Sequence, residues 1–284
     1  MNKKIIISLI TISVVGIIAV GGTIAYFSDT ETSSGNTFTA GAIDLKVDNE
    51  CSYNGQSVQE CTWEETDLDG HLFFSFSDIK PGDWGEDTIS LHVHNNDAWA
   101  CAAIRITKND DNTCVDPEIE AEGSQNCDDG NTPDNDLFDG ELAQNLNFFF
   151  WADVCKGKNY GGDNTDYPNA FPGDNIYQPE CDIYLMEGPA SDIIDGSVVY
   201  TLADSDENNV GGSGPLVGST TYYIGKMWCF GTIKFDDDGN ITGCDGSLVG
   251  NDSQTDVVQG DIQFYAVQER NNDNFQCESW TPSW

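Results

Sequence analysis

The chain has 284 residues, with 49 Asp and Glu against 11 Lys and Arg, a formal net charge of -38 and a pI of about 4.1. Phosphate binding needs clustered basic side chains, so this balance excludes nucleic acid and anionic lipid as partners. Only 38% of residues are hydrophobic, but 14 Phe, 10 Tyr and 7 Trp carry enough buried area for a core and exclude a disordered polyanion. Self-repulsion of the acidic surface calls for bound cations, salt, covalent cross-links or subunit contacts.

Lys3 and Lys4 precede an uncharged, Ile/Val/Ala/Gly-rich stretch from Ile5 to Ala25. The stretch is long enough to span a bilayer, but the residues after it lack the positive charges that stop transfer. Thr23 and Ala25 stand at the -3 and -1 positions of a cleavage site, so residues 1–25 are expected to be a signal peptide cut after Ala25. The mature chain is then secreted or held at the cell surface, with signal peptidase as a partner during export and no membrane attachment afterwards. Residues 26–39 follow, a polar segment carrying Tyr26, Phe27 and Phe38 ahead of the first strand.

From residue 40 the pattern is of strands between Asp/Asn/Gly loops. Ile43, Leu45 and Val47 alternate with Asp44, Lys46 and Asp48, and Ile89, Leu91 and Val93 with Ser90, His92 and His94, the period of half-buried strands. Further strands are expected at 72–76, 100–107, 146–151, 197–202, 221–230, 232–235 and 262–268. Leu137, Leu142 and Leu146 suggest a short helix, and residues 190–194 one turn. This is an all-β, antiparallel sandwich. Loop-rich insertions around 109–139 and 156–188 decorate one domain over 40–284, since no linker separates halves.

Ten cysteines, Cys51, Cys61, Cys101, Cys114, Cys127, Cys155, Cys181, Cys229, Cys244 and Cys277, include no Cys-x-x-Cys pair. In an exported chain this wide spacing is a disulfide framework, whose pairing the sequence leaves open.

Three histidines, His71, His92 and His94, include no His-Glu-x-x-His, the spacing that puts two zinc ligands and a base on one helical face. His92 and His94 share a strand face, where a solvent-facing pair on an edge strand is the simpler reading. There is no Gly-x-Ser-x-Gly elbow, and paired cysteines are poor nucleophiles, so no catalytic residues are expected. Calcium is better founded, because short carboxylates in Asn/Gly loops can converge on a hard cation. One candidate loop is Asp128 to Asn131 with Asp134 and Asp136; the preferred one joins Asp153 to Asp174, Asn175 and Glu180; the third holds Asp236 and Asp238 and reads more simply as a hairpin turn. The alternative for all three is a solvated acidic surface.

Gly21-Gly22-Thr23-Ile24-Ala25-Tyr26-Phe27-Ser28-Asp29, then Phe38-Thr39-Ala40-Gly41-Ala42-Ile43-Asp44-Leu45, resemble the start of secreted proteins of the TasA/camelysin family. Phe76 to Asp83 leading to Ile89 to Asn96, and Asp261 to Gln268, resemble later strands of that family, whereas 107–220 match none of its pattern. The resemblance implies a SipW-type signal peptide, a jelly-roll sandwich and a subunit of biofilm-matrix or cell-surface filaments. It implies that the strand around Tyr26, Phe27 and Phe38 enters a groove of the next copy, a head-to-tail homopolymer by donor-strand complementation. Two alternatives stand: a monomeric, calcium-dependent surface adhesin or glycan-binding module, and the secreted metalloprotease that the casein-cleaving description of some relatives suggests.

Overall fold

The computed structural model describes residues 28–33, 43–68, 70–113, 115–122, 137–194 and 196–284. The expectations for Ala25, Tyr26, Phe27, Phe38, Cys114, Cys127 and the loop of Asp128 to Asp136 lie outside them. In chain order the strands are β1 (Ser28–Ser33), β2 (Asp44–Tyr53), β3 (Gln56–Ser57), β4 (Trp63–Thr66), β5 (Trp84–His94), β6 (Ala98–Asp110), β7 (Leu146–Ala152), β8 (Ile183–Pro189), β9 (Ser197–Ala203), β10 (Thr220–Phe230), β11 (Thr232–Phe235), β12 (Ile241–Asp245) and β13 (Val257–Gln268). Two short helices, α1 (Asp116–Glu122) and α2 (Leu142–Asn145), join them.

The chain is all-β, and every strand pairing described is antiparallel. One sheet runs β1-β13-β6-β9; the other runs β3-β2-β5-β10-β7-β8 with β4 added on β2; β11 and β12 form a separate hairpin. The period-two residues fall where sequence places them: Leu45 stands opposite Val93 and Val47 opposite Leu91, all buried. These side chains meet Trp99, Ala100 and Ala102 of β6, Leu202 of β9 and Ile262, Phe264 and Ala266 of β13 in one core cluster, so the two sheets pack face to face. Each such large side chain contributes about 1.5–3 kcal/mol by leaving water.

Differences from the sequence expectation have physical causes. Residues 72–76 form no strand: their rings seek other rings, Phe73 against Trp63 and Phe264 and Phe76 against Trp228, while the backbone stays outside both sheets. The short helix is confined to Leu142–Asn145, and the turn at Ala190–Ile193 is a 3-10 turn. The second insertion, expected to run to 188, closes earlier because β8 pairs with β7. Among the described residues the disulfides join Cys51 to Cys61, Cys101 to Cys277, Cys155 to Cys181 and Cys229 to Cys244. No described helix is long and apolar enough to cross a membrane.

Candidate functional site

Two places stand out, the outer edge of the first sheet and the acidic loop after β7. At the edge, β1 lies along β13 with Ser28 opposite Val267 and Ser33 opposite Ile262. The family resemblance implies that this segment enters a groove of the next copy; here the backbone of Ser28–Ser33 pairs instead within its own chain. On its other side β1 pairs with no strand of the described residues.

The acidic loop is built from the disulfide outward. Cys155–Cys181 ties the segment after β7 to the segment before β8. Asp182, which sequence reasoning missed, then knits the crossing: its Oδ1 accepts from the Val154 and Cys155 N–H groups at 2.9 and 2.8 Å, and its Oδ2 from Gln178 N–H at 2.8 Å. Gly173 takes a left-handed φ of +84°, and a Cβ there would meet the Tyr223 ring at 2.6 Å. Asn175, also left-handed at +58°, then donates its N–H to Asp153 Oδ2 at 2.8 Å. Asp174 caps the same turn, accepting from Phe171 and Ile176 N–H groups and from Gln178 Nε2.

The result is a buried acidic cluster. Burial pushes the Asp153 carboxyl up to about 7, reinforced by the charges of Asp182 and Asp174 and opposed by the N–H groups of Asn175 and Gly173. Asp182 is likewise pushed up to about 6 by burial, against its three backbone donors. Of the four residues expected together from sequence, Asp153, Asp174 and Asn175 meet, whereas Glu180 is exposed and acts on the Tyr167 phenol alongside Asp166, Asp236 and Asp238. In the third loop, Asp236 accepts from Asp238 N–H and from both nitrogens of Asn240, so its carboxylate is occupied in turning the β11-β12 hairpin.

A further carboxylate group assembles from distant segments. Asp111, Glu118 of α1 and Asp256 bring oxygens within 4.8 Å of one another. Asp256 Oδ2 also accepts from Glu141 and Leu142 N–H at 2.6 and 2.8 Å, capping α2. In the sequence only the polar stretch Gly250 to Asp256, just ahead of the last strand, hints at it. A cleft of about 740 Å³ lined by Phe76, Trp228, Phe230 and Asp256 opens beside it.

The histidines are differently placed than expected. β5 lies inside its sheet, between β2 and β10, so the pair is not on an edge. His92 Nε2 bonds Asp48, His94 Nε2 bonds Glu65, and Thr221 Oγ1 lies 3.0 Å from His92 Nδ1. His71 stacks on Trp63.

Compared with known proteins, residues 1–125 match the family model described as camelysin metallo-endopeptidase. No curated protein matches the chain. The metal centre that this description implies does not fit the described residues: His92 Nε2 turns to Asp48, Glu65 pairs with both His92 Nδ1 and His94 Nε2, and the group whose ligand atoms converge is oxygen-only, unlike a histidine-ligated catalytic zinc. The matched stretch runs from the N-terminus through β6 and α1, and over it this chain is similar to the camelysin family.

Proposed function

We propose that the chain is an exported structural subunit that polymerises head to tail into extracellular filaments, the N-terminal segment of one copy completing the sheet of the next. The observation that carries this reading is the β1-β13 pairing: a segment ahead of the first core strand forms the outermost strand of the first sheet, attached by main-chain bonds to a single neighbour. Those bonds are indifferent to which copy supplies the segment, so β1 can pass from each copy to the next, and a head-to-tail contact whose rotation does not close extends into a filament. Phe27 and Phe38 are the proposed anchors, with Tyr26 beside them. In this reading the protein catalyses nothing, and its partners are its own copies and, during export, signal peptidase. The strand orders support the jelly-roll form of the sandwich, with β1-β13-β6-β9 as one four-stranded half and β5 inserted between β2 and β10 of the other.

Negative-stain electron microscopy of the chain starting at Tyr26, beside one lacking residues 26–39 and one carrying Phe27→Asp with Phe38→Asp, tests the proposal. Filaments from the first sample alone are expected; filaments from either altered chain would sink the donor role. A second reading, a monomeric surface adhesin, draws on Tyr160 and Phe171, which are exposed on the insertion with ring centroids 4.9 Å apart. It becomes the leading reading if all three samples stay monomeric.

A further inference from the structure

We propose that the loop closed by Cys155–Cys181 is a calcium site whose protein ligands are Asp153 Oδ1, Asn175 Oδ1 and Gln178 Oε1. Asp153 is 0% exposed, and while its Oδ2 takes the Asn175 N–H, its Oδ1 meets no hydrogen-bond donor. Asn175 Oδ1 and Gln178 Oε1 are buried in the same state, Gln178 being 4% exposed. The orientation of the Gln178 amide is fixed, because its Nε2 donates to both oxygens of Asp174 at 3.3 Å, which turns Oε1 away from Asp174. Three buried acceptors without donors, one directly after β7 and two on the loop, are costly in the absence of something that attracts oxygen.

The charge around them says what that is. Asp174 and Asp182 flank Asp153, and none of the ion pairs among the described residues involves these three carboxylates. A water molecule supplies two protons and no charge, whereas a divalent cation takes all three oxygens and offsets the carboxylates. One carboxylate with two amide oxygens on an irregular loop suits calcium, which accepts mixed oxygen ligands in flexible geometry; magnesium demands near-octahedral order and keeps its water. The disulfide and the three N–H bonds to Asp182 hold the loop in place, so little ordering accompanies binding. This inference is independent of filament assembly.

The test is calcium titration calorimetry on the full, oxidised, chelator-treated chain in low-salt buffer, with terbium luminescence sensitised by the buried Trp151 as a second readout. Wild-type protein should bind calcium in preference to magnesium and melt at a higher temperature with it. Asp153→Asn and, independently, Gln178→Leu should remove the binding. Asp174→Ala, which frees the Gln178 amide to turn, should weaken it by about 10–100-fold. Glu180→Gln, Asp236→Asn and Asp256→Asn should bind as wild type does. The proposal is overturned if wild type shows neither calcium heat nor a melting shift, which leaves a water in the pocket. It is equally overturned if folded Asp153→Asn or Gln178→Leu binds undiminished, or if Asp256→Asn abolishes the binding.

Discussion

Lys226 and Asp87 stand directly opposite each other on β10 and β5, both at 0% exposure, with ammonium and carboxylate in contact. The ammonium also lies 4.8 Å from the centroid of the Phe74 ring, which offers it the negative face of a π system. Burial pushes the Asp87 carboxyl up while the Lys226 charge holds it down, so each ion depends on the other. Removing one partner strands a charge in the sandwich: Asp87→Ala or Lys226→Ala should cost about 3–5 kcal/mol in urea unfolding. The double change Asp87→Leu with Lys226→Met should cost much less than the two single changes together. Additive costs would show that the two side chains do not act as a pair.

The pH response of the cation-free chain follows from Asp256. Its carboxyl is pushed up to about 7, chiefly by burial, with Asp111 and Glu118 adding to the shift and the N–H groups of Leu142 and Glu141 opposing it. A carboxyl raised on folding favours the folded chain below its ordinary, unfolded value. That contribution is lost as pH rises through the folded value. The melting temperature should therefore fall between mildly acidic and neutral pH. Asp256→Asn keeps an oxygen for capping α2 and should flatten part of the decline; Asp153 and Asp182, raised to about 7 and about 6, supply the rest. An equally steep decline in Asp256→Asn would remove Asp256 from the account.

Cys101–Cys277 closes a span of 176 residues, tying β6 to the C-terminal 3-10 turn, whereas Cys51–Cys61 closes 10. Loop-closure entropy grows with the logarithm of span, so the long link should stabilise more. Replacing Cys101 and Cys277 together by Ala should lower stability by about 2–5 kcal/mol. The corresponding Cys51 and Cys61 change should cost less; guanidinium unfolding of the two variants decides the order.

The framework was readable because its strands repeat one rule. Leu45, Val47, Leu91 and Val93 alternate and bury, and the apolar run Phe148 to Trp151 lies inside its sheet as β7. β8 was hidden because Glu187, Gly188 and Pro189 read as loop, and only its partner β7 makes it a strand. Asp153, Asp174 and Asn175 were found as neighbours from loop composition, but Asp182 and Gln178 were not, since their roles exist only once Cys155 and Cys181 meet. The Asp111, Glu118 and Asp256 group is further still from legibility: it requires the start of β13, the end of β6 and α1 to be brought together in space.

The composition of β10 shows the same dependence in a single pair. Gly225 stands opposite Trp151 on β7, and a Cβ at Gly225 would lie 2.0 Å from the Trp151 ring. Gly85 on β5 stands opposite Trp228 in the same way, with a Cβ 2.3 Å from its indole nitrogen. In each case the missing side chain is the space the indole fills, which offsets the strand-weakening entropy of glycine by burying a large ring across the neighbouring backbone. Strand propensity alone would favour any β-branched residue at 225, yet even alanine must displace a fully buried ring. Gly225→Ala should therefore destabilise by about 1–3 kcal/mol as overpacking, and shift the tryptophan emission as Trp151 moves. Adding Trp151→Leu should recover part of the Gly225→Ala loss, because the clash goes with the ring. A Gly225→Ala chain as stable as wild type, with unchanged emission, would mean that the indole does not lie over the glycine.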